Sequence, residues 1–263
     1  MYLEFETKTS YKYLRQVISA LEEPICILGG WAVFLHVNKN FQRAQGRPYL
    51  GSRDIDLGFH LDKNAIVEQM KSSTLAKSLD ILQNRLKFQS VSFRLLKEIH
   101  TETEEEIGEG NVIPAHFIFP MYIDVLVDTI PARFREVFHF QPADEPLLRF
   151  VFEDKKHREE LNEFNKKLWL PKPELLLATK LNALKHRDKE HKKIKDICDI
   201  FALLWYSKEK PQELKKKISR FVPAKKIQDS LSTISENDYQ KASQQLNHSV
   251  EEIRRVLGLL RGP

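Results

Sequence analysis

The stretch LGSRDIDLGF, residues 50–59, places two aspartates two positions apart inside an apolar run. Ile55, Leu57 and Phe59 alternate with Asp54, Asp56 and Gly58, which reads as a strand. In a strand, residues i and i+2 share a face, so the carboxylates of Asp54 and Asp56 project together. Two like charges on one face repel, and burying either is costly without a partner. The pair is either an accident of an exposed edge, the commoner place for charged residues, or half of a site for a hard cation. Oxygen ligands of this kind suit Mg²⁺ or Mn²⁺.

Working outward, PICILGGWAVFLHV, residues 24–37, reads as a short buried strand, a Gly29-Gly30 turn and the start of a helix. A glycine turn between strand and helix presents backbone N–H groups and a helix N-terminus, where an anion is favoured. Residues 11–21 carry Tyr11, Leu14, Ile18 and Leu21 at helical spacing. QRAQGRPYLGS, residues 42–52, reads as a loop punctuated by Gly and Pro. Residues 63–85 read as helix in one or two pieces. FQSVSFRLLKEI (88–99), VIPAHFIF (112–119), YIDVLVD (122–128) and LLRFVFE (147–153) read as strands. The acidic TETEEEIGEGN, residues 101–111, reads as a solvated hairpin loop.

YIDVLVD supplies a third carboxylate. Asp124 lies between Ile123 and Val125, deeper in the run than Asp128, its partner on the same face. Ser52 adds a hydroxyl on the approach to the aspartate pair. Three carboxylates and a phosphate-holding turn are the parts that two-metal phosphoryl or nucleotidyl transfer uses.

Beyond residue 154 the chain becomes polar and charged, with LPKPE (170–174) as a linker-like break. Helical periodicity then covers 173–187, 191–207, 210–220, 223–234 and 237–260. The expected fold class is α+β: a mixed-sheet domain over residues 1–154, then a helical domain over 155–263. The 263-residue chain is long enough to bury a sizeable core. Residues 1–150 hold 17 Lys and Arg against 20 Asp and Glu; the remainder holds 25 against 17. That basic second half suits either a polyanion or the solvated outside of a bundle. No apolar run approaches the roughly 18 residues of a membrane span, and the N-terminus lacks the pattern of a signal peptide. Cys26 and Cys198 sit apart in apolar surroundings and read as reduced, buried thiols of a cytoplasmic protein. No Cys/His spacing suggests zinc, and neither a nucleophile-elbow nor a P-loop pattern is present. Trp169 and Trp205 read as core, and His157, His186 and His191 as solvated.

The order strand, GGWA, helix, loop, SRDID, then a later IDV resembles the nucleotidyltransferase superfamily that includes DNA polymerase beta. PKPELLLATKLNALKHRDKEHKKIKDICDIFALL, residues 171–204, is similar to the helical segment of the AbiEii-type toxin nucleotidyltransferases. That pattern has a lysine in an LLA-x-K-x-x-A helix, a basic stretch, and a D-x-x-D helix. The resemblance covers roughly residues 24–204. It implies that Gly29 and Gly30 hold nucleotide phosphates and that Asp54, Asp56 and Asp124 bind metal. It implies that Ser52 is the hydroxyl before the pair, that Lys180 neutralises triphosphate charge, and that Asp196, with Asp199 the alternative, is the acid of the last motif. Members often carry Ser or Thr after the second glycine, where this chain has Trp31. They often carry an Arg about four residues before the first aspartate, where it has Leu50; Arg47 and Arg53 are the candidate substitutes. The implied activity is transfer of a nucleoside monophosphate from an NTP, with Mg²⁺ or Mn²⁺, to an RNA or tRNA 3′ end or a protein hydroxyl. The implied role is that of a toxin with a cognate antitoxin. GGWA equally resembles the aminoglycoside-type enzymes, which points to a small-molecule acceptor. A binding module without turnover is the reading from another class. From the residues alone, Lys180 also reads as a snorkelling lysine, with Asp196 and Asp199 paired to Lys192, Lys193 or Lys195, or Asp199 to Lys180 or Arg187.

Overall fold

A computed structural model of the chain describes residues 2–108 and 110–261. It is α+β: a mixed sheet is built first, and helices follow. By packing, the described residues form two compact units, one within residues 2–29 and 51–170, the other within residues 30–50 and 171–261.

The first unit carries the sheet. Its strands are β1 (Ile25–Ile27), β2 (Ile55–Phe59), β3 (Gln89–Val91), β4 (Arg94–His100), β5 (Ile118–Val127), β6 (Ala143–Asp144), β7 (Arg158–Glu163) and β8 (Lys166–Pro171). The lateral order is β3-β4-β5-β2-β1-β8-β7, with β6 pairing to β5. β2 and β5 run parallel, and β4 is antiparallel to β5. Helix α1 (Glu4–Ala20) buries Tyr13, Leu14, Val17 and Ile18 at helical spacing. Its Phe5 meets Phe119 of β5 edge to face, ring centroids 5.6 Å apart. In β5 the strand period is plain: Phe119, Met121, Ile123, Val125 and Val127 are buried, while Ile118, Pro120, Tyr122, Asp124 and Leu126 are half-exposed.

Several expectations change here. FQSVSFRLLKEI is a hairpin, not one strand: Ser92 adopts φ +58° and splits it into β3 and β4. LLRFVFE is mostly helix, α6 (Leu148–Glu153), because a short apolar run fits a buried helix as well as a strand. The charged segment after residue 154 forms the β7–β8 hairpin, with Phe164 and Asn165 at positive φ. Arg158 is buried there, its guanidinium 3.7 Å from the Trp169 ring centroid. His157 is buried, not solvated. The 63–85 segment is α3 (Val67–Lys71), α4 (Thr74–Asp80) and a π-helical turn over Ile81–Arg85. The remaining helix of this unit is α5 (Phe134–Phe138).

Helix α2 (Gly29–Gln45) leaves β1 and runs four residues into the stretch expected to be loop. The second unit adds α7 (Pro173–Leu184), α8 (Glu190–Tyr206), α9 (Pro211–Ile218), α10 (Ala224–Ser232), α11 (Glu236–Leu246) and α12 (Val250–Gly258). The single helix expected over 237–260 is two, because Asn247 takes the left-handed conformation and caps α11. Pro173 and Pro211 open α7 and α9 at the position where a missing N–H costs nothing. The α8 face of Ile197, Ile200, Phe201 and Leu204 is buried, whereas Trp205 is exposed, with Arg255 of α12 over its ring. Both cysteines are free and buried, and burial pushes both thiols up. Among the described residues, no helix is long and apolar enough to cross a membrane.

Candidate active site

Sheet register assembles the site. Asp56 of β2 is the Cα partner of Asp124 of β5, and Asp124 is the partner of Arg94 of β4. Laterally paired residues share a face, so Asp56, Asp124 and Arg94 form one row across three strands, opposite the buried row of Ile55, Ile123 and Leu95. Asp54 stands just before β2, only 9% exposed. Ser52, two residues earlier, is also buried.

Arg94 joins the acids. Its Nε donates to Asp124 Oδ1 at 2.5 Å and its Nη2 to Asp124 Oδ2 at 2.6 Å, a bidentate fork; the same Nη2 reaches Asp54 Oδ2 at 2.8 Å. The guanidinium lies over the Tyr122 ring, 4.2 Å from its centroid, and 5.6 Å from that of the exposed Phe93. Burial works against its charge, but Asp124 and then Asp54 outweigh that and raise its pKa.

Asp56 lies against Gly29. A Cβ built on Gly29 would fall 1.9 Å from Asp56 Oδ2, and Gly29 holds φ +57°. Two constraints thus demand glycine here: the left-handed backbone and the carboxylate beside it. Gly29→Ala is expected to cost about 2 kcal/mol or more by urea unfolding, from backbone strain plus displacement of Asp56. Gly46 is the control: at φ +69° with nothing within 4 Å, its alanine variant carries only the backbone part. Equal losses in the two variants would show that the Asp56 contact does not matter.

The second unit holds a separate charge network. Lys180 of α7 is buried, with its Nζ 2.7 Å from Asp196 Oδ1 and 2.8 Å from Asp199 Oδ2 of α8. Arg187 Nε donates to Asp196 Oδ2 at 2.6 Å. Asp199 Oδ1 accepts from Lys195 and, at 2.8 Å, from the Tyr49 hydroxyl. Asp196 and Asp199 are fully enclosed, and the i, i+3 spacing turns both toward Lys180. Burial raises the Asp199 pKa, but Lys180 and Lys195 overcome it and hold the carboxyl below its usual range. Burial lowers that of Lys180, but Asp196 and Asp199 overcome it and hold the ammonium well above its usual range. An acid depressed in the fold contributes stability above its unfolded pKa, about 3.9, and loses it as pH falls through the folded value. A raised lysine contributes fully below about 10.4 and loses only above that. The network's contribution is therefore expected to be flat between about pH 5 and 9 and to collapse below about pH 4, as read by thermal unfolding across pH. A steady loss between pH 8 and 6 would contradict this.

No family model matches the chain, and no curated protein matches it. A solved structure does. It is that of an antigenic nucleotidyltransferase-like protein from Paracoccidioides brasiliensis, similar over 87% of this chain and 92% of that chain, at 19% identity and a TM-score of 0.39.

Of the residues singled out in the sequence, Asp54 and Asp124 meet on one cation, Asp56 stands in the same row, and Gly29 abuts Asp56. Lys180 and Asp196 are bonded to each other, with Asp199 joining them. Trp31 is buried, edge-on to Phe34. Neither arginine considered for the missing upstream position is at the acids. Arg53 pairs with Glu6 at 3.2 Å, and Arg47 donates to the Gln245 carbonyl at 2.5 Å. Arg94 escaped the sequence reading. It opens Arg94-Leu95-Leu96-Lys97-Glu98-Ile99, where adjacent leucines and adjacent charges break the alternation, so no local signal marks its face.

The donor chemistry of the row suits a hard divalent ion, since carboxylate oxygens from two adjoining strands converge on one positive charge. That charge here is the Arg94 guanidinium. Among the described residues, no three His, Cys, Asp or Glu side chains are gathered to hold a metal ion as they stand.

Proposed function

We propose that the chain is a nucleotidyltransferase. It would move a nucleoside monophosphate from an NTP to a hydroxyl acceptor, with Asp54, Asp56 and Asp124 as the acidic centre. The observation that carries the reading is the convergence of Asp54 and Asp124 on one cation, in the row that also holds Asp56 beside Gly29. In the reaction, the acceptor oxygen attacks the α-phosphorus, the bond to the bridging oxygen breaks, and pyrophosphate leaves. Mg²⁺ or Mn²⁺ on the three aspartates would supply the charge that makes the hydroxyl nucleophilic and the pyrophosphate a better leaving group. The protein's part is to hold acids and reacting groups in one geometry, and a stiff sheet of paired strands does this better than loops.

The acceptor class proposed is RNA, with tRNA 3′ ends first, because the excess of Lys and Arg falls after residue 150. Lys180 and Asp196 enter the proposal only through the resemblance, as do the toxin role and an antitoxin partner. The test is incubation with α-labelled NTPs, Mg²⁺ and total tRNA. Label is expected on RNA with the wild type and absent with Asp54→Asn. A wild type that binds NTP but labels no acceptor would instead be a nucleotide-binding module. For RNA, log affinity against log salt is expected to fall with a slope of several units; a flat plot would remove the polyanion acceptor.

A further inference from the structure

We propose that Arg94 is an exchangeable occupant of the Asp54–Asp124 pair. It excludes a divalent cation while it sits there and becomes a ligand of the NTP phosphates when it leaves. This deepens the proposed function and rests on it.

The geometry argues for exclusion. Both Asp124 oxygens and Asp54 Oδ2 already accept from the guanidinium, so three carboxylate oxygens facing the shared cation are taken. A hard ion must strip hydrogen bonds from those oxygens before it can bind, and a charge-assisted fork is among the stronger contacts a protein makes. The geometry also argues for exchange. Arg94 is not sealed in: its side chain is 17% exposed, and it stands at the first position of β4, after a hairpin turn. The neighbouring Phe93 is exposed, its ring centroid 5.6 Å from the guanidinium. A guanidinium matches a phosphate as well as a carboxylate, with the same two parallel N–H donors. A triphosphate arriving with its metal offers both partners the exchange needs: the metal takes the carboxylates, and the phosphates take the guanidinium. Each carboxylate and the guanidinium has an oppositely charged partner before and after, so neither a buried unpaired acid nor a buried unpaired arginine is created. Metal and nucleotide should then bind cooperatively, each raising the other's affinity by the same factor.

The test uses the full chain and isothermal titration with Mn²⁺ alone, then with a non-hydrolysable α,β-methylene NTP. Removing the competitor in Arg94→Gln is expected to tighten Mn²⁺ binding in the absence of nucleotide by about tenfold or more. The same variant should bind the nucleotide analogue more weakly and lose the cooperativity. Adding Asp54→Asn should abolish the gain. Arg94→Lys keeps the charge without the fork; it should fall between the two and guards against misfolding of the neutral variant, as does circular dichroism of each. Equal Mn²⁺ affinity in wild type and Arg94→Gln, with Asp54-dependent binding in both, would overturn the exchange and leave the nucleotidyltransferase reading standing. Absence of Mn²⁺ binding in both would overturn the metal centre and this inference with it.

Discussion

Asp199→Ala is expected to destabilise the protein by about 3–5 kcal/mol, a large share of an ordinary domain's stability. The cost is not the worth of one ion pair. Asp199 is fully enclosed and serves Lys180, Lys195 and the Tyr49 hydroxyl together. Its loss leaves two enclosed ammonium groups short of a counterion. Lys180 then keeps only Asp196, which already shares Arg187. The companion experiment is a double-mutant cycle. Lys180→Met with Asp199→Asn removes both ends of one pair, and its loss should be smaller than the sum of the single losses by about 1 kcal/mol or more. Urea unfolding followed by far-ultraviolet circular dichroism reads both numbers. A loss under about 1 kcal/mol in Asp199→Ala would mean that water enters and solvates the lysines.

Asp54→Asn and Asp124→Asn are each expected to lower transfer by about 10³-fold or more, because residues acting as one unit fail together. For the same reason the double variant should be little worse than either single one. Both sites keep side-chain volume and a carbonyl oxygen facing Arg94, so stability should change far less than activity. Asp128→Asn is the contrasting variant. Asp128 accepts from the Leu61 N–H at 3.0 Å and bonds His60 at 2.5 Å, which occupies both its oxygens at the end of β5. It should cost stability and leave the transfer chemistry largely intact. Initial rates with labelled NTP, set beside unfolding curves for the same proteins, separate the two behaviours.

The aspartates were legible in the sequence because strand period is local: Ile55 and Leu57 turn inward, so Asp56 turns outward, and Ile123 and Val125 do the same for Asp124. Their meeting with Arg94 was not. It depends on the antiparallel register of β4 on β5, a pairing that no short window of sequence contains. Along the chain the nearest arginines, Arg47 and Arg53, lie upstream of the pair, whereas the sheet supplies one from forty residues downstream. The Lys180–Asp199 pairing was among the readings that the residues allowed, since an enclosed lysine in an apolar helix needs an acid. The β7–β8 hairpin stayed hidden because the edge strand REELNE and the first residues of KKLWLP are charged and read as solvated linker. LLRFVFE is ambiguous for the opposite reason: five apolar or aromatic residues broken once, by Arg149, carry no period to choose between helix and strand.

In the proposed reaction the acids act at the α-phosphorus. The direct measurement runs the reaction twice, once with α-labelled and once with γ-labelled NTP, with Mg²⁺ and total tRNA, and follows both acceptor and released phosphate. The expected result is acceptor labelled from the α position only, with the γ label leaving as pyrophosphate, and neither product with Asp124→Asn. Acceptor labelled from the γ position, or transfer that survives Asp124→Asn, would contradict it.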